Sequence, residues 1–131
     1  MPSIIQDMMR LAKVLVVDDE ISLVQLCELV LKNAGFAVCG ALSGRQALRL
    51  VTEEDPDLVL LDVMMPGMDG IEVCRQIRAT GKRAKHPRII MYTADLRDST
   101  RQSSLAAGAD DFITKDIPIF ELPSWISHHL A

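Results

Sequence analysis

The sequence predicts an α/β fold, a doubly wound three-layer sandwich in which helices cover both faces of a five-stranded parallel sheet. Three observations lead to this prediction. Short, uninterrupted apolar runs, typical of strands buried on both faces, recur five times. Longer stretches of helical period separate them, and such crossovers between parallel strands are right-handed in almost all proteins. The 131 residues fit one domain, and 49% of them are hydrophobic, which is enough for a sizeable core.

The first half of the chain alternates strand and helix twice. Lys13–Val17 is an apolar run and is predicted as the first strand. Glu20–Ala34 has apolar residues at helical spacing and is followed by Gly35, a typical helix terminator. Phe36–Gly40 is the second strand, and Ser43 is a typical N-cap for the second helix. The inward stripe of the first helix is predicted as Leu23, Cys27, Val30, Leu31 and Ala34.

The second half continues the alternation and ends in a helix with an unusual start. Its first five elements, strand and helix in turn, are predicted as Asp57–Leu61, Gly70–Thr80, Pro87–Tyr92, Asp98–Ala107 and Asp111–Thr114. The last helix is predicted from about Ile119 to Leu130. Pro118 suits its start, but Pro123, one turn deeper, would remove a hydrogen bond, so this helix should begin late or be irregular.

Composition excludes several classes of partner. A formal net charge of −4 and a pI of about 5.3 make the chain a poor binder of nucleic acid or of membrane surfaces. Its apolar runs are too short to span a bilayer, and its first residues lack the order of a signal peptide, so we expect a cytoplasmic protein. The three cysteines form no CxxC pair and are predicted to be core thiols. The histidines, His86, His128 and His129, are predicted to be surface residues.

Acidic and other polar residues follow four of the five predicted strands. Asp18 and Asp19 follow the first strand, and Asp62 follows the third. Thr93 follows the fourth strand and Lys115 the fifth. Ligands of open parallel sheets bind at the carboxyl ends of the strands, so these side chains are expected at one rim.

The residue types at this rim predict phosphoryl chemistry. Grouped carboxylates suit a hard divalent cation such as Mg²⁺, and a carboxylate beside the metal can attack phosphorus. An ammonium and a hydroxyl can then hold the phosphoryl oxygens. Each residue alone has a plainer explanation, since an aspartate after a strand is usually a turn former or helix cap. It is the combination that predicts an aspartyl phosphate.

Four motifs in order, VLVVDDE, LLDVMMPGMDG, MYTA and FITK, resemble those of response-regulator receiver domains, the CheY-like family. The resemblance extends over nearly the whole chain. It implies a flavodoxin-like strand order of 2-1-3-4-5, a receiver domain over residues 13–131 and an N-terminal arm over residues 1–12.

The resemblance also implies a role for each site residue. Asp62 is the expected phosphoacceptor. Asp18 and Asp19, with Asp62 and the backbone carbonyl of Met64, are the expected ligands of Mg²⁺ or Mn²⁺. Thr93 is the expected switch hydroxyl, Lys115 the expected phosphoryl-binding lysine and Phe112 the expected switch aromatic. These expectations are implied by the family and do not follow from spacing alone.

The implied function is two-component signal transduction rather than enzymatic catalysis. The phosphoryl group would come from a sensor histidine kinase or a histidine phosphotransfer protein. Phosphorylation would switch the face built from the fourth helix, the fifth strand and the fifth helix, which controls a downstream effector protein. The acidic composition predicts no direct contact with nucleic acid or membrane, and a weak homodimer stays open.

Two positions depart from the family pattern. Asp116 replaces the usual proline after Lys115, so the Lys115–Asp116 bond is expected to be either trans or strained. Met64, two residues after the phosphoacceptor, is apolar and cannot orient a hydrolytic water whose route it flanks together with Asp95. We therefore expect dephosphorylation that is neither very fast nor assisted.

Three other functions remain to be weighed. A pseudo-receiver would act as an interaction module without phosphorylation, but such domains usually lose one or more of the five site residues that are present here. A phosphatase with an aspartyl nucleophile usually has a second acid at the position of Met64. An FMN carrier would need a phosphate-binding loop after the first strand, and none is present in the sequence.

Overall fold

The computed structural model describes residues 11–80 and 86–131. The predicted N-terminal arm, residues 1–12, lies outside the described residues apart from Leu11 and Ala12. Within the described part, no helix is long and apolar enough to cross a membrane.

One parallel sheet forms the centre of the molecule. Its strands, β1 to β5 in chain order, are Lys13–Val17, Ala37–Ala41, Leu58–Leu61, Arg88–Thr93 and Asp111–Thr114. They are arranged in the order β2–β1–β3–β4–β5, and every neighbouring pair is parallel. The predicted fold class and strand order are therefore confirmed. The order reverses direction between β1 and β3, which creates the switch point where ligands of such sheets bind.

In the described residues, five helices flank the sheet and follow the predicted positions closely. The helices, α1 to α5 in chain order, are Ile21–Asn33, Gly44–Glu54, Gly70–Ala79, Asp98–Ala106 and Leu122–Leu130. The hydroxyl of Ser43 accepts a hydrogen bond from the Gln46 N–H at 3.2 Å, as expected of an N-cap. Only the start of the last helix differs from its predicted position by more than two residues.

The last helix begins late, as its two prolines predict. A 3₁₀ turn spans Ile119–Glu121, and α5 begins only at Leu122. Pro123 therefore lies in the first turn, where its missing N–H would have no helical partner in any case. His129 near the end of this helix is only 18% exposed, and its Nε2 lies 2.8 Å from Asp111 Oδ2. Its prediction as a surface residue was wrong, because the helix brings it against β5.

Alternate residues of each strand face opposite sides of the sheet, so two apolar layers form. Leu15, Val59 and Ile89 face one layer, which α2 and α3 cover. Val14, Leu58 and Ile90 face the other, which α1 and α5 cover. Truncating one such fully buried side chain to alanine would cost about 2–5 kcal/mol. These two layers hold the strand ends, and so the site, in fixed positions.

The buried stripe of α1 differs in part from its predicted members. Val24, Cys27 and Leu31 are buried, whereas Ala34 is exposed. Ala34 lies beyond the last helical residue, where the chain turns toward β2, so it leaves the inward face. Cys27 and Cys74 are buried free thiols and Cys39 is half-buried. Burial raises the pKa of the Cys27 thiol to about 11, in keeping with a core role.

Candidate functional site

Main-chain hydrogen bonds continue the sheet one residue past several strand ends and position the polar side chains. The Asp18 N–H donates to the Ala41 carbonyl at 3.1 Å, and the Asp62 N–H donates to the Val17 carbonyl at 2.9 Å. The Lys115 N–H donates to the Thr93 carbonyl at 2.8 Å. Asp18, Asp62 and Lys115 are thus held by the rigid sheet rather than by free loops.

Three carboxylates converge at this rim. Asp18, Asp19 and Asp62 each offer an oxygen, and the three oxygens lie within 4.8 Å of one another. Asp18 is only 3% exposed and Asp62 only 5% exposed, whereas Asp19 is exposed. Asp18 also accepts a hydrogen bond from the Glu20 N–H at 2.9 Å, which fixes its carboxylate. The sequence prediction that these three acids meet is confirmed.

Among residues 11–80 and 86–131, one ammonium faces two of the three carboxylates. Lys115 Nζ lies 2.7 Å from Asp18 Oδ2 and 3.4 Å from Asp62 Oδ2. The described residues contain no cis peptide bond, so the bond between Lys115 and Asp116 is trans. The Asp116 carboxylate also accepts a hydrogen bond from the Thr114 hydroxyl. Lys115 therefore reaches the acids without the proline that usually follows this lysine.

Burial and charge act in opposite directions on the site residues. Burial raises the pKa of the Asp62 carboxyl, the negative charge of Asp18 raises it further, and Lys115 opposes both. Burial pulls the pKa of the Lys115 ammonium down, but its hydrogen bond to Asp18 and the charge of Asp62 outweigh burial and leave that pKa raised. The cluster thus retains an excess of negative charge that one ammonium does not neutralise.

The loop after β3 depends on a glycine that sequence reasoning missed. A Cβ atom on Gly70 would lie 2.0 Å from the Asp62 carbonyl oxygen, which no side chain allows. The Gly70 N–H instead donates to the Val63 carbonyl at 2.9 Å, which brings the start of α3 against the segment that carries Asp62. In the sequence MPGMDG, a glycine as the first helical residue was the available signal.

Met64 belongs to the same loop. The Asp62 carboxylate accepts a hydrogen bond from the Met64 N–H at 3.4 Å, and the Met64 side chain is 60% exposed. An apolar side chain therefore stands at the entrance to the site.

Thr93 is the last residue of β4, and Phe112 lies within β5. Thr93 is fully buried, and its hydroxyl accepts a hydrogen bond from the Asp95 N–H at 3.3 Å. Phe112 is 7% exposed and packs in the apolar layer on the α3 side of the sheet. In this structure the aromatic ring is therefore turned inward.

The donor set fits a hard divalent cation. The three carboxylates supply only oxygen atoms as ligands, and two of the three belong to buried residues. The carboxylates also outnumber the ammonium of Lys115. Mg²⁺ prefers one or two carboxylates together with waters and a phosphate oxygen, and the acids of this rim can supply the carboxylate ligands. The fold and the acids together define a doubly wound domain with an acidic cluster at its switch point.

Comparison with known proteins identifies this class. The model of the response regulator receiver domain matches residues 14–127. A putative response regulator from Chloroflexus aurantiacus is 33% identical, with a TM-score of 0.84 over 92% of this chain and 98% of the other. The chemotaxis protein CheY4 of Vibrio cholerae is 31% identical, with a TM-score of 0.84 over 91% and 98% of the two chains.

A third similar structure is the BeF3-activated N-terminal receiver domain of RstA from Klebsiella pneumoniae. It is 32% identical, with a TM-score of 0.81 over 90% of this chain and 97% of the other. The chain belongs to the response regulator receiver domain family. The predicted resemblance to this family is therefore confirmed.

Proposed function

We propose that this protein accepts a phosphoryl group on Asp62 from a phosphohistidine of a sensor histidine kinase or of a histidine phosphotransfer protein. The observation that carries the proposal is the placement of Lys115 Nζ, 2.7 Å from Asp18 and 3.4 Å from Asp62, within a group of three carboxylates. A buried carboxylate with an adjacent ammonium and further acids is arranged for attack on phosphorus and for holding the transferred oxygens.

Four groups of this chain would hold the divalent cation, Mg²⁺ or Mn²⁺. They are the carboxylates of Asp18, Asp19 and Asp62 and the backbone carbonyl of Met64. When bound, the cation neutralises repulsion among the carboxylates and the phosphoryl oxygens. Asp19 is the most exposed of the three acids and so the most accessible to an arriving ion.

The transfer step is a nucleophilic displacement at phosphorus. One carboxylate oxygen of Asp62 forms a bond to the phosphorus while the bond from phosphorus to the donor's imidazole nitrogen breaks. The bonding pair leaves with that nitrogen, which takes a proton from solvent. The Lys115 ammonium then holds a phosphoryl oxygen in place of the Asp62 carboxylate. Since the new group carries close to two negative charges, the local balance of charge changes.

The change at Asp62 would be read by Thr93 and Phe112. The Thr93 hydroxyl can donate a hydrogen bond to a phosphoryl oxygen, and a shift of Thr93 would change the packing beside β4 around the Phe112 ring, which is already buried in this structure. The population would then move toward a second arrangement of the face formed by α4, β5 and α5. Leu105 and Trp125 are exposed on this face and offer apolar surface to an effector protein.

Two features support slow loss of the phosphoryl group. Met64 is apolar and exposed beside the site, so it cannot orient a hydrolytic water. The Asp95 carboxylate already accepts hydrogen bonds from Arg97 and Thr100. Neither side chain is available as a general base. We propose a cytoplasmic signalling protein without enzymatic turnover, and a weak homodimer stays open.

A pseudo-receiver that signals without phosphorylation is the alternative. The trans bond at Asp116 is the feature that favours it, because the family usually aims the lysine with a proline. The short distances from Lys115 to both acids count against it.

Intact mass tests the proposal. Wild-type protein and Asp62→Asn are incubated with Mg²⁺ and acetyl phosphate, and Asp69→Asn, an exposed acid of the same loop region, is the matched control. We expect one added phosphoryl mass on the wild type and on Asp69→Asn, and none on Asp62→Asn. Addition to all three proteins would place the phosphoryl group elsewhere, and addition to none, with no binding of Mg²⁺, would support the pseudo-receiver.

A further inference from the structure

The loop between β4 and α4 is closed by the side chain of Asp95. Its carboxylate accepts hydrogen bonds from Arg97 Nη2 at 2.7 Å and from the Thr100 hydroxyl at 2.7 Å. It also accepts one from the Arg97 main-chain N–H at 3.0 Å. The Asp95 side chain is 9% exposed and Thr100 is 7% exposed, so the contact between these two residues is largely sheltered from water, whereas the Arg97 side chain is 70% exposed. Charge-assisted bonds of this kind are about twice as strong as neutral ones.

The same residue reaches the switch hydroxyl through its main chain. The Asp95 N–H donates to Thr93 Oγ1 at 3.3 Å. By holding the Asp95 side chain, the loop therefore also holds the Asp95 N–H that donates to Thr93 in this structure. Thr100 extends the connection into α4, because its carbonyl accepts a hydrogen bond from the buried Ser104 hydroxyl at 2.7 Å.

We propose that Asp95 is a positioning residue that holds Thr93 and the start of α4 in the unphosphorylated arrangement. This inference rests on the proposed function, because it assigns the two-state switch a specific restraint. The Thr93 hydroxyl accepts this bond from Asp95, so a movement of Thr93 toward a phosphoryl oxygen would carry the hydroxyl away from its donor. The hydrogen bonds from Arg97 and Thr100 to Asp95 keep the loop between β4 and α4 from moving together with Thr93.

A restraint on the unphosphorylated form lowers the apparent affinity for any group that binds the other form. Removing the restraint should therefore tighten binding of a phosphoryl mimic without a new contact to it. Because Arg97 is exposed, we expect a net contribution equal to that of one ordinary hydrogen bond, and its loss corresponds to a change of about fivefold in that affinity. A residue that merely stabilised the fold would not produce tighter binding.

Two measurements on the full chain test the proposal. The first is amide hydrogen exchange over residues 94–101 without ligand, and the second is the dissociation constant for beryllofluoride in the presence of Mg²⁺. The variants are Asp95→Ala and Thr100→Val, which removes one donor and keeps the shape of the side chain. Asp98→Asn is the control, since Asp98 is an exposed acid in the first turn of the same helix.

We expect faster exchange over residues 94–101 and about fivefold tighter beryllofluoride binding for Asp95→Ala, and a smaller shift in the same direction for Thr100→Val. Asp98→Asn should match the wild type in both measurements, and the Mg²⁺ affinity should be equal in all four proteins. Unchanged exchange, or faster exchange with equal or weaker beryllofluoride binding, would overturn the positioning role alone. A wild type that binds no beryllofluoride would instead overturn the proposed function, and the positioning role with it.

Discussion

The two ends of the sheet both carry clustered charges, but only one end balances them. At the amino end of β4 and β5, Arg78 Nη2 donates to Asp110 Oδ2 at 2.8 Å. The rest of the Arg78 guanidinium donates to the carbonyls of Gly108 and Pro87, and Asp110 accepts from the Ile89 N–H. At the carboxyl end, three carboxylates share one ammonium.

The difference distinguishes the Arg78 cluster, which stabilises the fold, from the acidic cluster, which is suited to binding a ligand. Each polar group of the Arg78 cluster has a partner within the protein, so the cluster ties α3 to the strands and needs nothing from outside. The acids at the other end have more negative charge than the protein neutralises, and like charges in a buried site are costly. A site that keeps such an imbalance is suited to a divalent cation, which would then offset the negative charge of a phosphoryl group. The following predictions test this contrast, beginning with the largest expected effect.

Gly70→Ala should be the most damaging change, because it forces a methyl group against the Asp62 carbonyl. We expect a loss of about 3 kcal/mol or more in the free energy of unfolding, together with weakened Mg²⁺ binding. Urea denaturation and titration with Mg²⁺ measure the two effects. Gly35→Ala is the matched control. A Cβ there meets no atom within 4 Å, and the positive φ of 98° alone costs about 1 kcal/mol. Equal losses for the two variants would contradict the packing argument.

Arg78→Met should destabilise the balanced end and leave the site intact. It leaves the half-buried Asp110 and two carbonyls without their donor, so we expect a loss of about 2 kcal/mol in the free energy of unfolding. Arg88→Met is the control, because Arg88 is 57% exposed and lies 3.6 Å from Asp110. That surface pair should contribute less than about 0.5 kcal/mol. A loss of Mg²⁺ affinity in Arg78→Met would show that the two ends are not independent.

Asp62→Asn, at the unbalanced end, should raise the free energy of unfolding rather than lower it. Without divalent cations it removes one of the mutually repelling charges, so we expect the protein to be more stable by about 1 kcal/mol near neutral pH. Mg²⁺ at one hundred times its dissociation constant stabilises the wild type by about 2.7 kcal/mol through mass action, and the variant should gain less. Thermal unfolding with and without Mg²⁺ measures both effects. A less stable Asp62→Asn in the absence of the ion would remove the basis for calling this cluster unbalanced.

The smallest effect concerns Asp95, a carboxylate near the unbalanced end that does have its partners. The side-chain hydrogen bonds from Arg97, its main-chain N–H and the Thr100 hydroxyl hold the pKa of Asp95 well below its usual range. A lowered pKa in the folded state stabilises the protein above the unfolded pKa of about 4 and is lost as the pH falls toward the folded value.

The stability difference between wild type and Asp95→Asn should therefore shrink as the pH is lowered from 6 to 2. Unfolding in urea at several pH values measures it. A difference that is independent of pH would mean that the charge of Asp95 does not contribute to stability.

The elements and the acidic site were predictable from the sequence because their signals are local. Apolar runs and helical spacing placed every strand within one residue of its observed bounds, and Pro123 indicated the late start of α5. The meeting of Asp18, Asp19 and Asp62 followed from one general rule, that parallel strands present their carboxyl ends at one edge. The strand order itself came from the resemblance of the motifs to receiver domains.

The tertiary structure alone decided which distant groups meet. Gly70 must approach the Asp62 carbonyl, Arg78 finds Asp110 across 32 positions, and His129 returns to Asp111. None of these contacts has a periodic or adjacent signal in the sequence. A secondary-structure pattern depends on a residue's nearest neighbours along the chain, whereas a hydrogen-bond partner depends on how whole elements pack. The sequence by itself therefore determined the elements and the chemistry at their ends, and packing determined which charges are neutralised and which are left to bind a ligand.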